Sequence, residues 1–281
     1  MIDLHSHTDC SDGTFTPEEL VAEGVRVGLQ ALAITDHDTF AGYDAASSSA
    51  AEAGLELICG IELSTRYQGG SVHLLGYIPV SPPSDELRAW LMWVLEMRRD
   101  RNVRLVKKLQ SLGIAITLEE VENLGRTLTG RPHFARVLVQ KGYAKDIQNA
   151  FDVYLDESAQ GFVQRQEVPM EEALERILAS GGVPSLAHPV RVAKNNRDKL
   201  AAYVEDLGGL GLRAIEVYHS DHTPDNVAYY GSLAQQFNLG MTGGSDFHGA
   251  NKPSISLGTG KRNNLHVPDE LAENLKNLAR K

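Results

Sequence analysis

Nine residues of this 281-residue chain stand out as candidate ligands for divalent metals, and most of them fall in short clusters. His5 and His7 lie in His5-Ser6-His7, Asp12 in Ser11-Asp12-Gly13, and His37 in Thr35-Asp36-His37-Asp38. Glu62 follows Gly60-Ile61, His73 stands alone, and His188 lies in Ala187-His188-Pro189. Asp246 and His248 share Gly244-Ser245-Asp246-Phe247-His248. Imidazole and carboxylate without cysteine suit Zn, Mn or Fe(II). A two-residue spacing on an extended chain sends both side chains to one side, which pairs His5 with His7 and Asp246 with His248. One ion takes about four to six ligands and commonly keeps a position for water. Nine ligands exceed one ion and suffice for two or three divalent ions, with Glu62 able to bridge two. A metal bound in this way lowers the pKa of a coordinated water towards neutrality.

Taken singly, each candidate is weak, since a lone histidine near a strand end is ordinarily a hydrogen-bonded core or surface residue. Their shared placement is stronger. Short β-rich apolar runs cover residues 2–5, 31–35, 56–61, 72–77, 183–187, 214–218 and 239–242, and most end in one of these clusters. In parallel α/β folds the ligand site lies at the carboxyl ends of the strands, so scattered positions converge on one mouth. Helical patterns alternate with the runs. Thr16-Pro17-Glu18-Glu19 carries an N-cap, a proline at the first helical position and a capping box, and residues 168–172 follow similar logic. Repeated strand–helix units predict a parallel sheet, open or closed into a barrel.

Residues 81–161 break this rhythm and contain no convincing strand. Ser84 opens a basic helical run over 85–112, closed by Gly113, and shorter helices are expected at 118–124, 132–141 and 145–155. The chain therefore divides into a first barrel part (1–80), a helical insertion (81–161) and a second barrel part (162–281). Trp90 and Trp93, three apart on the long helix, are expected to pack in the core or between insert and barrel.

The order His-x-His, Ser-Asp-Gly, Thr-Asp-His-Asp, Gly-x-Glu, His, Ala-His-Pro, Gly-Ser-Asp-x-His resembles the PHP (polymerase and histidinol phosphatase) superfamily over nearly the whole chain. The resemblance implies a distorted (β/α)7 TIM-like barrel, a trinuclear metal site and phosphoesterase activity. It implies that His5, His7, Glu62 and Asp246 surround one metal. Glu62, His73 and His188 would hold a second, and Asp12, His37 and His248 a third. Asp3, Asp36 and Asp38 are then expected to orient imidazoles, or to serve as turn and cap residues.

Within the insert, Gly130-Arg131-Pro132-His133-Phe134-Ala135-Arg136 is similar to the RNase AM (TrpH-like) branch. Members of that branch hydrolyse nucleoside 3′,5′-bisphosphates and trim short 5′-phosphorylated RNA. This implies phosphate or nucleotide contacts from Arg131, His133 and Arg136, with Arg191 a further candidate. Guanidinium forks bind phosphate oxygens bidentately, which fits that role. The competing view is a solvated helix face, since positions 131 and 136 do not share one face squarely. His219 and His222, just past the run 214–218, are candidates to protonate the leaving oxygen.

Histidinol-phosphate hydrolysis and amidohydrolase-type amide hydrolysis are the alternative activities. The insert tells against the first. The second commonly uses a bridging modified lysine, and no lysine stands at a strand end, Lys194 following the His188 loop. A formal charge of −10, from 27 basic and 37 acidic residues, disfavours a stable complex with long nucleic acid. A small anionic phosphate ester or short oligonucleotide is the expected substrate. No apolar run approaches the ~20 residues of a membrane span. With no signal-peptide pattern and two cysteines, Cys10 and Cys59, a cytoplasmic location is expected.

Overall fold

The computed structural model describes residues 1–280 apart from 126, 165 and 193–195; Lys194 therefore lies outside the described residues. In chain order the strands are β1 (Ile2–Asp3), β2 (Ala31–Ile34), β3 (Glu56–Tyr67), β4 (Gly70–Tyr77), β5 (Val168–Pro169), β6 (Val183–Leu186), β7 (Ala214–His219), β8 (Gly240–Gly244), β9 (Ile255–Ser256) and β10 (Gly260–Lys261). The α-helices are α1 (Pro17–Val27), α2 (Ala41–Ala53), α3 (Asp85–Ser111), α4 (Leu118–Glu122), α5 (Arg131–Gln140), α6 (Ile147–Ala150), α7 (Met170–Ala179), α8 (Arg197–Gly209), α9 (Pro224–Gln236) and α10 (Glu270–Ala279).

Seven strands form the barrel wall in the order β1-β2-β3-β4-β6-β7-β8, with β5 added beside β3. The wall nearly closes: Leu4 donates its N–H to Gly243 O at 3.1 Å, and Asp246 donates to His5 O at 2.8 Å. A Cβ on Gly244 would collide with the His5 backbone, so only glycine permits this approach of the last strand to the first.

The sheet is not all parallel, which corrects the expectation from alternating strand–helix units. β3 and β4 form an antiparallel hairpin, and β4 also runs antiparallel to β6. Gln68 (φ 46°) and Gly69 (φ 82°) form the two-residue turn, both left-handed as a tight hairpin requires. β3 continues six residues past the run ending at Ile61, and this polar extension hides the hairpin from a periodicity argument.

The barrel interior is apolar at its lower end, where Ile2, Leu4, Leu75, Tyr77 and Val183 meet Leu271 and Leu275 of α10. Tyr77 donates its hydroxyl to Leu4 O at 2.8 Å, so its one polar atom is satisfied in the core. Outside the wall, Leu174 and Ile177 of α7, Val204 of α8 and Leu233 of α9 cover Ile61, Leu74 and Ile215. Each such aliphatic side chain contributes roughly 1.5–3 kcal/mol by burial.

The insert has a cluster of its own, with Leu105, Leu109, Val121, Phe134 and Leu138 at its centre. The first half of α3 instead packs Leu87, Trp90, Leu91 and Val94 onto the barrel layer. Trp90 donates Nε1–H to Glu172 at 2.8 Å. Trp93 differs from expectation: it is 43% exposed, because α3 turns that face to solvent.

Candidate metal centre and its cleft

The nine candidates meet at the upper end of the barrel. His5 and His7 extend from β1, where Ser6 bridges to Phe247, and His37 bridges to Glu62 from the end of β2. Glu62 lies on β3 and His73 on its hairpin partner β4. His188 follows β6, and Asp246 and His248 follow β8.

Glu62, 1% exposed, sits at the centre. Its Oε1 faces His73 Nδ1 at 2.7 Å and His188 Nε2 at 2.9 Å. Its Oε2 faces His7 Nε2 at 3.1 Å and His5 Nε2 at 3.3 Å. Ligand atoms within 4.8 Å of one another group His5, His7, Glu62 and Asp246. A second such group joins His7, Asp12, His37 and His248, and a third joins His37, Glu62 and His73.

The electrostatics suit cations at this place. Burial alone would raise the carboxyls of Asp12, Glu62 and Asp246, yet the surrounding histidines, with Lys252 beside Asp246, hold all three well below the carboxylate range. Burial pulls His37 and His188 down to about 3 and also lowers His7, leaving the neutral imidazoles that ligation needs. His5 goes the other way. Burial would lower it, but Glu216, Glu62 and Asp246 raise it well above its ordinary value, and carboxylates that favour a proton there also favour a cation. His7 Nε2, which faces Glu62 Oε2, is buried without a hydrogen bond, so the donor set fits a metal that would engage it.

Three non-glycine residues at the site have left-handed backbones: Asp38 (φ 53°), His188 (φ 26°) and Asp246 (φ 58°). Such strain persists where surrounding contacts over-determine it. Asp38 is held by Arg98, which donates Nε–H to Oδ2 at 2.7 Å and an Nη2–H to Ser64 Oγ at 2.8 Å.

A family comparison agrees with this geometry. Residues 3–178 match the PHP domain. The chain belongs to the PHP family. A PHP relative from Haemophilus influenzae named 5′-3′ exoribonuclease is 34% identical over 88% of this chain and 89% of its own length. Another, from Chromobacterium violaceum, is named 3′,5′-nucleoside bisphosphate phosphatase; it is 31% identical over 92% of this chain and 90% of its own. Among solved structures, a Bifidobacterium adolescentis protein described in terms of metal-dependent phosphoesterase chemistry superposes with a TM-score of 0.86. That protein is 29% identical, over 99% of this chain and 96% of its own.

Two adjoining cavities open over the PHP cluster. One, about 230 Å³, is lined by Asp12, His37, Glu62, Asp246, Arg191 and Lys252 among others. The second, about 380 Å³, runs beneath the insert and brings together Arg66, Arg98, Arg101, Arg131 and Arg191 with Phe151 and Phe162. Arg191 donates from Nη2 to Asp246 Oδ2 at 3.1 Å and to Asp221 Oδ2 at 2.5 Å. Arg131 donates from Nη1 to Leu155 O at 3.3 Å, and burial lowers its pKa.

The other expected contacts sit elsewhere. His133 is 1% exposed and accepts the Gly130 N–H on Nδ1 at 3.1 Å, which caps α5. His133 and Arg136 line neither cavity. His219, at the end of β7, and His222, in the loop after it, are buried and line neither cavity; His219 Nε2 lies 3.4 Å from Asp246 Oδ2. His222 donates Nδ1–H to Val217 O at 2.8 Å, and burial with His219 nearby lowers it to about 4.

Asp3, Asp36 and Asp38 follow the second of the two expected roles, as turn residues. Asp3 accepts N–H groups of His5, Ser245 and Gly258; Asp36 accepts from Thr8 and Ser11; Asp38 accepts the Ser64 N–H besides meeting Arg98. They fasten loops. The carboxylate that grips an imidazole is Glu216, whose Oε1 lies 2.8 Å from His5 Nδ1. Burial would raise Glu216, but His5 and His219 bring it to about 2. It lies inside an apolar strand run with no motif around it. Lys252, 2.7 Å from Asp246 Oδ2, was equally unmarked.

Proposed function

We propose that this chain is a metal-dependent phosphoesterase that removes the 3′-phosphate of nucleoside 3′,5′-bisphosphates, and acts by extension on short 5′-phosphorylated RNA. The carrying observation is the adjacency of two unlike sites: eight metal-type ligands in overlapping groups, with His188 joined to them through Glu62, and beside them a cleft lined by five arginines. The substrate class follows the names of the two curated relatives.

His5, His7, Glu62 and Asp246 would hold one ion, His73 and His188 with Glu62 a second, and Asp12, His37 and His248 a third. Manganese, zinc and iron all suit this donor set. Ions bound there supply Lewis acidity at a phosphoryl oxygen and lower the pKa of water. Arg191 and Lys252, both at the mouth and both touching Asp246, bind the reacting phosphate. Arg131, beneath the insert, binds the second phosphate, with Phe151 and Phe162 offered to the base. The size of the larger lobe suits a nucleotide or short oligonucleotide.

The test is phosphate release from adenosine 3′,5′-bisphosphate by manganese-loaded protein, with Asp246→Asn as control. Rapid release of the 3′-phosphate, absent in the control, is expected. No release by protein with a verified metal complement would reject the nucleotide substrate.

A further inference from the structure

We propose that Glu216 is the positioning residue of the metal centre, setting two ligands from different strands with its two carboxylate oxygens. The inference rests on the metal reading of the site. Glu216 is fully buried on β7. Its Oε1 takes the Nδ1–H of His5 at 2.8 Å, which leaves His5 Nε2 as the lone-pair nitrogen. That nitrogen faces Glu62 Oε2 at 3.3 Å and Asp246 Oδ1 at 3.6 Å, where a cation would sit.

The second oxygen does different work. Oε2 accepts the His188 N–H at 2.6 Å, and His188 has φ 26° and ψ 65°. A histidine in that conformation needs an outside contact to hold it. The turn so fixed brings His188 Nε2 within 2.9 Å of Glu62 Oε1. His5 and His188 thus approach opposite oxygens of Glu62, and one carboxylate places both. Their rings also stack, at 5.9 Å between centroids.

Glu216 is not itself a ligand of a further metal, although its ligand atoms cluster with those of His5 and His219. His219 Nδ1 accepts the Asp221 N–H at 3.0 Å, so neutral His219 carries its proton on Nε2 and has no lone pair there for a metal. The His5 nitrogen on that side is donating to Glu216.

The experiment compares wild type with Glu216→Gln and Glu216→Asp. The glutamine keeps the shape but replaces one acceptor by a donor, so it satisfies His5 or His188 and not both. The aspartate keeps both acceptors on a shorter arm. Manganese affinity is measured by competition with a chelator, metal content by elemental analysis, and folding of the metal-free proteins by circular dichroism. Cobalt-loaded samples report ligand geometry by their visible absorption. The expectation is a folded glutamine variant with metal affinity weakened roughly 10- to 100-fold and an altered cobalt spectrum, with activity partly recovered at saturating metal. Wild-type affinity and spectrum in either folded variant would overturn the proposal. If only the aspartate variant folds, the same readouts apply to it; if neither metal-free variant folds, Glu216 is structural and the proposal fails. Wild type that takes up no divalent ion would instead overturn the metal reading itself.

Discussion

Arg191 and Asp246 are joined across the mouth of the cleft, Nη2 to Oδ2, at 3.1 Å. A guanidinium half-open to solvent thus touches a carboxylate buried in the metal-type cluster, placing positive charge where an incoming phosphate meets the centre. Arg191→Met is expected to lower kcat/KM for the bisphosphate about 100-fold, the scale for losing one charged donor to a transition state. Metal content should stay at the wild-type level. Steady-state kinetics with elemental analysis decides, and an unchanged kcat/KM would remove Arg191 from substrate binding.

Glu62→Gln tests the centre itself. Its oxygens face His73 and His188 on one side and His5 and His7 on the other. The amide should lose at least one bound ion per chain and reduce turnover on the order of 1000-fold, the equivalent of several kcal/mol of metal assistance. Wild-type metal content and rate in this variant would exclude Glu62 from the centre.

Asp38 and Arg98 form a buried pair at 2.6 Å that ties α3 of the insert to the loop after β2. Arg98→Met leaves Asp38 buried beside an apolar chain and should cost about 3–5 kcal/mol in urea denaturation. Adding Asp38→Asn should recover part of that loss. A single variant as stable as wild type would mean that the pair does not anchor the insert.

Asp221 gives a pH-dependent signature. Burial opposes its ionisation, but Lys261 and Arg191 hold its carboxyl far below the usual range. A depressed folded value stabilises fully above the unfolded pKa of ~3.9 and is lost as pH falls towards the folded value. The stability gap between wild type and Asp221→Asn should therefore be largest near pH 7 and shrink at pH 3. Urea titrations of metal-free protein at both pH values measure it, and a gap that widens on acidification would contradict the assignment.

The helix starts were legible where local chemistry alone decides them. Thr16 and Glu19 form the expected reciprocal cap, and Ser84 caps α3. The β3–β4 hairpin was not legible. Its turn is Gln68-Gly69 and its extension carries Ser64, Thr65 and Arg66, so neither the usual turn dipeptide nor apolar alternation marks it. Strand direction depends on which strand lies alongside, and that is a long-range fact.

Residue type and local spacing by themselves determined the inventory of candidate ligands, because a metal selects donors by chemistry and His-x-His or Asp-x-His sets their side within two residues. The sequence also carried the family pattern and the helical character of the insert. Only the tertiary structure decided which donors share an oxygen of Glu62, that Glu216 from β7 reaches both His5 and His188, and that His133, His219 and His222 are buried outside the cavity linings. Those relationships join positions up to 211 residues apart. They arise from barrel closure and strand register, which bring side chains together irrespective of their separation along the chain.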